Sequence, residues 1–322
     1  EPARSAFIGF NQHIGDRTFS LNGSWKFHWS PTPNGRIFDF FKTDFKDNDW
    51  KFFSVPANWE VNGYGTPIYT SSGYTFKIDP PRVTSIPPEK YTAFKERNPV
   101  GQYRKSFTLP SDWKNGQVFV RFDGVQSAFY VWVNGEKVGY SQGSMEPAEF
   151  NISRYLKPGE NQIAVEVYKY CDGSYLEDQD MWRFGGIHRD ISLYFTPQIR
   201  ISDVTVKTIP DKDYQNFSLE IDPEFQVFGT ETGKGYKVRA NIENLINITT
   251  DVSDILNLDH KGALMNEWNP QRGPRKTGRL KAEIQHPQKW TAETPNLYTL
   301  NISIEDSLGN VIENVRQKIG FR

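Results

Sequence analysis

The chain has 322 residues and a mass of 37.2 kDa, more than one ordinary domain holds, so two domains are expected. Its 38 basic and 39 acidic side chains give a formal net charge of −1 and are spread in both signs, which argues against nucleic acid or a charged membrane surface as partner. No apolar run is long enough to span a bilayer, and the single cysteine, Cys171, excludes an internal disulfide framework.

Phe, Tyr and Trp make up 15% of the chain, nine of them Trp; such rings fill the gap between two sheets and also stack on sugar faces. Taken in chain order, the segment from Tyr74 to Asn98 is Pro-rich and polar with little alternation, and loops of that length usually carry function or disorder. "QVFVRFDGV" then alternates, with Val118, Val120 and Phe122 on one face and Phe119 and Arg121 on the other. In "AFYVWVNGEKVGYSQ" an aromatic strand meets Asn134-Gly135, a dipeptide suited to a two-residue hairpin, and returns. "KPGEN" reads as a tight turn into the alternating "NQIAVEVYKY". A boundary falls near Pro197, where a new strand series begins with Ile199, Ile201, Val204 and Val206. Further strands are expected at "FSLEIDPEFQV", "YKVRANIENL", "TGRLKAEIQ", "LYTLNISIED" and "VIENVRQKIGF". No window carries a capped helical stripe, so the chain is expected to be all-β. The first part has the size of a jelly roll and the second that of an immunoglobulin-like sandwich.

No self-contained active site is legible. There is no G-x-S-x-G, no H-E-x-x-H, no phosphate loop and no Cys/His cluster of zinc spacing, and the five histidines are scattered. The unusual stretch is "CDGSYLEDQDMWRFGGIHRDISLYF", in which Asp172, Glu177, Asp178 and Asp180 fall close together. On residue chemistry alone three readings stand: a solvated acidic face, an oxygen-donor site for a hard cation, or a set of acceptors for a polyol. "MWRFGGIHRDISL" favours an ordered loop, with Trp182 buried, Gly185-Gly186 allowing a tight backbone path, and Arg183 or Arg189 free to pair with a carboxylate.

At this loop the chain resembles the large lactose-cleaving bacterial β-galactosidases of glycoside hydrolase family two. "SLNGSWKFHW", "VPANWEVNGYGTPIYT", "FDGVQSAFYVWVNGEKVGYSQGSMEPAEFNIS", "PGENQIAVEVY" and "WTAETPNLYTL" occur in the family's order, and the resemblance covers about residues 20–322. It implies a galactose-binding-like jelly roll over residues 1–197 and an immunoglobulin-like β-sandwich over 198–322. It also implies that the catalytic TIM barrel, with both catalytic carboxylates of a retaining glycosidase, lies outside this chain, since "VRQKIGFR" resembles the junction where the barrel begins. The chain opens at Glu1 without Met or signal peptide, so a preceding segment is expected, and the compartment, cytoplasmic or periplasmic in a bacterium, stays open.

By the same resemblance, Asp180 reaches into the barrel mouth, contacts galactose hydroxyls and helps to ligate a sodium ion shared with the barrel. Sodium and magnesium are then cofactors of the parent enzyme, and the fragment requires neither. Glu177 and Asp178 shape the loop, and Trp182 anchors it. Ser71 stands where the family often has an Asn beside the substrate; serine is shorter and lacks the amide donors. The parent is expected to be a homo-oligomer, and the stretch from His260 to Gly278 is the candidate for a loop crossing to a neighbouring subunit. The alternatives are the front part of a related β-glucuronidase or β-mannosidase, an autonomous pair of carbohydrate-binding modules, and a structural scaffold without a ligand.

Overall fold

The computed structural model describes residues 12–13, 17–256 and 280–322; the stretch from His260 to Gly278 lies outside them. Among the described residues the chain is all-β, with only 3-10 turns and a short helical turn at 252–256. It divides into two compact units, one built on residues 18–114 and 118–195, the other on 115–117 and 196–322 together with the strand Gln12–His13.

The first unit is a sandwich of two antiparallel sheets. Six strands run in the order Glu136–Gln142, Ala128–Val133, Glu160–Tyr168, Val100–Thr108, Gly23–Ser30 and Lys51–Val55. Four run in the order Ala148–Asn151, Gly116–Phe122, Ile191–Pro197 and Thr18–Ser20. Trp25, Phe27, Tyr103, Val131 and Val165 from the first sheet and Val120, Phe122, Phe150 and Leu193 from the second join one buried cluster. Each such side chain contributes about 1.5–3 kcal/mol of transfer free energy. The alternation expected in "QVFVRF" puts Val118, Val120 and Phe122 into this core. Phe119, on the opposite face, is buried too and stacks on Tyr194 with centroids 5.1 Å apart. At the expected hairpin Asn134 and Gly135 take φ of 52° and 85°, the positive values that a two-residue turn between twisted strands demands.

Residues 74–98 contain little regular structure apart from the 3-10 turn Thr92–Phe94, yet they are packed. Phe76 and Val83 are buried with Tyr170, and Tyr74 and Tyr175 close over them. The Tyr175 hydroxyl donates to Arg82 O at 2.7 Å and accepts from Asp79 N at 2.9 Å. This long loop therefore forms a floor against the acidic stretch, tied by aromatic contacts and side-chain bonds to backbone.

In the second unit a three-stranded sheet, Ile199–Pro210, Asn216–Val227 and Leu280–Gln285, accompanies a five-stranded one. The latter runs Gln12–His13, Val311–Ile319, Tyr298–Glu305, Lys237–Ile242 and Ile246–Asp251. All five strands expected here after the first, Ile199–Pro210, are present. Ile246–Asp251 was not expected: "INITTD" buries only Ile246 fully and lacks a run of apolar alternates, so its pairing to Lys237–Ile242 is what makes it a strand. Leu219, Ile221, Val238, Ala240, Ile302 and Phe321 form the core.

Glu313 lies in that unit with 4% exposure and accepts the Ile201 amide at 2.5 Å. Burial pushes its carboxyl up to about 7, against the Ile201 bond and the charges of Arg200 and Arg17, which favour ionisation. A carboxyl raised above its unfolded value holds its proton more tightly when folded. Its contribution is therefore complete below about pH 4.5 and is lost as pH rises through about 7. The loss is on the order of 3 kcal/mol at pH 8. Glu313→Gln is expected to raise the melting temperature of this unit at pH 8 and leave it nearly unchanged at pH 4, as calorimetry at the two pH values would record.

Candidate functional site

The acidic stretch begins at the end of the strand Glu160–Tyr168 with a 3-10 turn, Asp172–Tyr175, closed by a bond from Cys171 N to Ser174 Oγ at 3.0 Å. It ends in the three-residue strand Met181–Arg183, which pairs antiparallel with Ile68–Thr70: Met181 faces Thr70, Trp182 faces Tyr69 and Arg183 faces Ile68. Side chains alternate across this small ribbon. Arg183 turns inward and is 7% exposed, whereas Trp182, with the Tyr69 ring beside it, turns outward.

Arg183 organises the loop. Its guanidinium donates to Glu177 O at 3.0 Å, Gln179 O at 2.8 Å and Asp178 Oδ1 at 2.6 Å, and its Nε donates to Thr70 Oγ1 at 3.2 Å. The other Asp178 oxygen accepts Gly73 N at 3.0 Å. Glu177 is also engaged, accepting Ser144 N at 2.8 Å and Ser144 Oγ at 2.6 Å. Asp172 bonds the neighbouring Gly173 amide at 2.9 Å.

Asp180 differs from these three. It is exposed, and its Oδ1 accepts the Tyr69 hydroxyl at 2.5 Å, while no hydrogen bond reaches Oδ2 among the described residues. The carboxylate draws on the phenol proton and raises the Tyr69 pKa. Trp182 and Phe184 stand on the same outward face, stacked at 5.7 Å with planes 7° apart. On the other side of the loop Gln179 and Met181 line an open pocket with Ser144, Met145 and Glu177. Ser71 lies one step beyond the Met181–Thr70 pair, level with Asp180, and is exposed.

One expectation is corrected. Trp182 does not bury to anchor the loop: it is 52% exposed, because the pleat that sends Arg183 inward sends its neighbour out. Arg183 is the anchor. It pairs with Asp178, and the other arginine considered, Arg189, donates instead to Met145 O at 2.7 Å.

A buried ion pair supports the loop from below. Lys169 Nζ lies 2.6 Å from Glu60 Oε1, and Glu60 Oε2 accepts the Gly185 amide at 3.0 Å. The backbone approaches closely here: a Cβ on Gly185 would meet the Trp59 ring at 2.5 Å, and Gly186 has φ of 118°. Neither Glu60, Lys169 nor Tyr69 stood out in the sequence. Glu60 and Lys169 are 109 residues apart, and Tyr69 and Asp180 are 111 apart, so no local spacing announces either pair. The one available signal was Lys169 at the end of the apolar run "IAVEVY".

No group of three or more His, Cys, Asp or Glu side chains arranged to hold a metal occurs among the described residues. Asp180 Oδ2 is one oxygen donor with room for a ligand; Asp178 and Glu177, which would be the obvious co-ligands, are held by Arg183, Gly73 and Ser144.

Two family descriptions match the chain: "Glycosyl hydrolases family 2, sugar binding domain" over residues 18–197, and "Glycosyl hydrolases family 2" over 199–322. The chain belongs to glycoside hydrolase family 2. A protein named beta-galactosidase from Priestia megaterium is 40% identical over 307 residues, covering 94% of this chain and 28% of the relative. Another of that name, from Pectobacterium atrosepticum, is 39% identical over 308 residues, covering 94% and 27%. The chain thus spans just over a quarter of the length of these relatives. Among solved structures, a β-glucuronidase of Bacteroides uniformis superposes with a TM-score of 0.67 at 21% identity, over 96% of this chain and 32% of that one. A beta-glycosidase from Bacteroides vulgatus gives 0.63 at 22%, over 95% and 34%. These two likenesses concern the fold alone.

Lys169→Met should leave the Glu60 carboxylate buried and unpaired, a loss of about 3–5 kcal/mol. Glu60→Gln combined with Lys169→Met is expected to recover much of that loss. Urea denaturation of the two variants beside the parent chain is the check, and equal destabilisation of both would assign the effect to packing.

Proposed function

We propose that this chain is the non-catalytic front portion of a retaining β-galactosidase acting on terminal β-D-galactosides, with residues 1–197 and 198–322 as its two domains. In this reading the first domain delivers Asp180 to a substrate pocket whose catalytic carboxylates lie on a barrel outside these residues. The observation that carries it is the division of labour in the loop: Glu177 and Asp178 are consumed in holding the backbone, whereas Asp180 keeps an exposed, unengaged carboxylate oxygen on the outward face of the ribbon; Asp172, which keeps one too, sits back in the 3-10 turn where the loop begins. The galactoside assignment rests on relatives 36–40% identical that carry the beta-galactosidase name. The fold-level likeness to β-glucuronidases does not bear on substrate.

An ionised carboxylate accepts hydrogen bonds from two vicinal hydroxyls of a pyranose, and charge-assisted bonds are about twice as strong as neutral ones. Asp180 would orient the sugar in this way without taking part in proton transfer or nucleophilic attack. A monovalent cation fits the site as a shared ligand only: Asp180 Oδ2 supplies one oxygen, the rest come from outside these residues, and the ion would offset the negative charge beside the sugar oxygens. Ser71, level with Asp180, is placed to reach the same ligand through its short hydroxyl, and its lack of an amide donor removes one contact that an Asn would make.

In the barrel-bearing protein, Asp180→Asn is expected to lower kcat/KM for nitrophenyl galactoside by roughly 100-fold or more, from the loss of two charge-assisted bonds, with the melting temperature retained. An unchanged kcat/KM would return Asp180 to the ordinary surface acids. The 322-residue chain by itself should hydrolyse that substrate only at the background rate and bind galactose more weakly than about 1 mM by calorimetry. Micromolar binding would favour an autonomous carbohydrate-binding module.

A further inference from the structure

With its backbone clamped, Asp180 still has a free rotation about its side-chain bonds, and an exposed aspartate ordinarily samples several rotamers. One contact restricts it. Tyr69 sits directly opposite Trp182 in the ribbon, so it is the diagonal neighbour of Asp180 on the same outward face. Diagonal neighbours lie about 7–8 Å apart, a span that a tyrosine bridges and a shorter side chain does not. The hydroxyl reaches Asp180 Oδ1 at 2.5 Å, and the ring is braced by Trp182 with centroids 5.7 Å apart. The strand that carries Tyr69 is tied to the loop a second time, through Arg183 Nε on Thr70 Oγ1. Tyr69 is 52% exposed, so packing against Trp182 fixes its ring only in part.

We infer that Tyr69 is a positioning residue for Asp180: its phenol takes one lone pair of Oδ1, fixes the carboxylate plane and turns Oδ2, the fully open acceptor, outward toward the sugar. The inference deepens the substrate-pocket reading above and rests on it. Its chemical consequence is selectivity for ligands that approach from one side. With Oδ1 already bonded, the carboxylate contributes one strongly directed acceptor, and Oδ1 is left with only its remaining lone-pair capacity for a second hydroxyl.

The test is a double-mutant cycle with Tyr69→Phe and Asp180→Asn in the barrel-bearing protein, reading kcat/KM for nitrophenyl galactoside, together with melting temperatures. Tyr69→Phe is expected to lower kcat/KM by roughly tenfold with an unchanged melting temperature, and to add nothing further in the Asp180→Asn background. A Tyr69→Phe variant as active as the parent, or one whose effect is undiminished when Asp180 is already Asn, overturns the positioning role while leaving a severe Asp180→Asn defect intact. A harmless Asp180→Asn overturns the pocket reading itself. In the 322-residue chain, NMR of tyrosine labelled at Cζ gives a readout independent of activity. At one fixed pH the Tyr69 Cζ resonance should shift in Asp180→Asn as the phenol loses its carboxylate acceptor; a signal that does not move overturns the inference.

Discussion

The guanidinium of Arg183 is the constraint on which the loop depends. An arginine presents its donors in a rigid fork, and here that fork, itself buried, is spent on two backbone carbonyls, one carboxylate and one hydroxyl. Four acidic residues close in sequence would otherwise repel one another and leave the segment extended in solvent. Neutralising Asp178 and tying down the carbonyls of Glu177 and Gln179 turns the same residues into an ordered projection.

Beneath the clamp, the sandwich supplies rigidity at its edge. Glu60 connects three segments that are distant in sequence: its own 3-10 turn, the end of the strand Glu160–Tyr168 through Lys169, and the return of the loop through the Gly185 amide. A buried ion pair is a weak contributor to net stability, because desolvation offsets most of its Coulomb energy. Its value here is geometric, since any shift of Gly185 would leave a buried carboxylate oxygen without a donor. The glycines add to this, for no side chain fits between Gly185 and the Trp59 ring. Together these contacts hold the ribbon that carries Tyr69, Asp180 and Trp182 on one face.

Membership of a hydrolase family does not by itself assign chemistry to a sandwich, and in the reading proposed above this one serves as a support. In that reading it offers a held polar side chain on a rigid support, which suits recognition of a sugar: hydroxyls are distinguished by direction, and an acceptor free to rotate would not distinguish them.

Period-two alternation, the Asn134-Gly135 turn and the break at Pro197 are local properties, written in adjacent residues, and they were enough to identify an all-β chain and most strands after Gly116; the strands Gly23–Ser30, Lys51–Val55 and Val100–Thr108 were not picked out. The same is true of the loop as a chemical curiosity, because four carboxylates beside a Trp-Arg pair are visible at once. Residue chemistry alone did not tell which carboxylates would be left exposed; the family resemblance singled out Asp180. Arg183 had several possible partners within reach along the chain, and the choice of Asp178 depends on Gly73 and Thr70 arriving from a strand more than a hundred residues earlier. Trp182 reads as a core residue because large rings usually are; it faces outward since the pleat can bury only one of two consecutive residues, and the clamp claims Arg183. Tyr69, Glu60 and Lys169 acquire their roles through contacts that only the folded chain creates, so their purpose lay in the packing of distant segments and in no motif of their own.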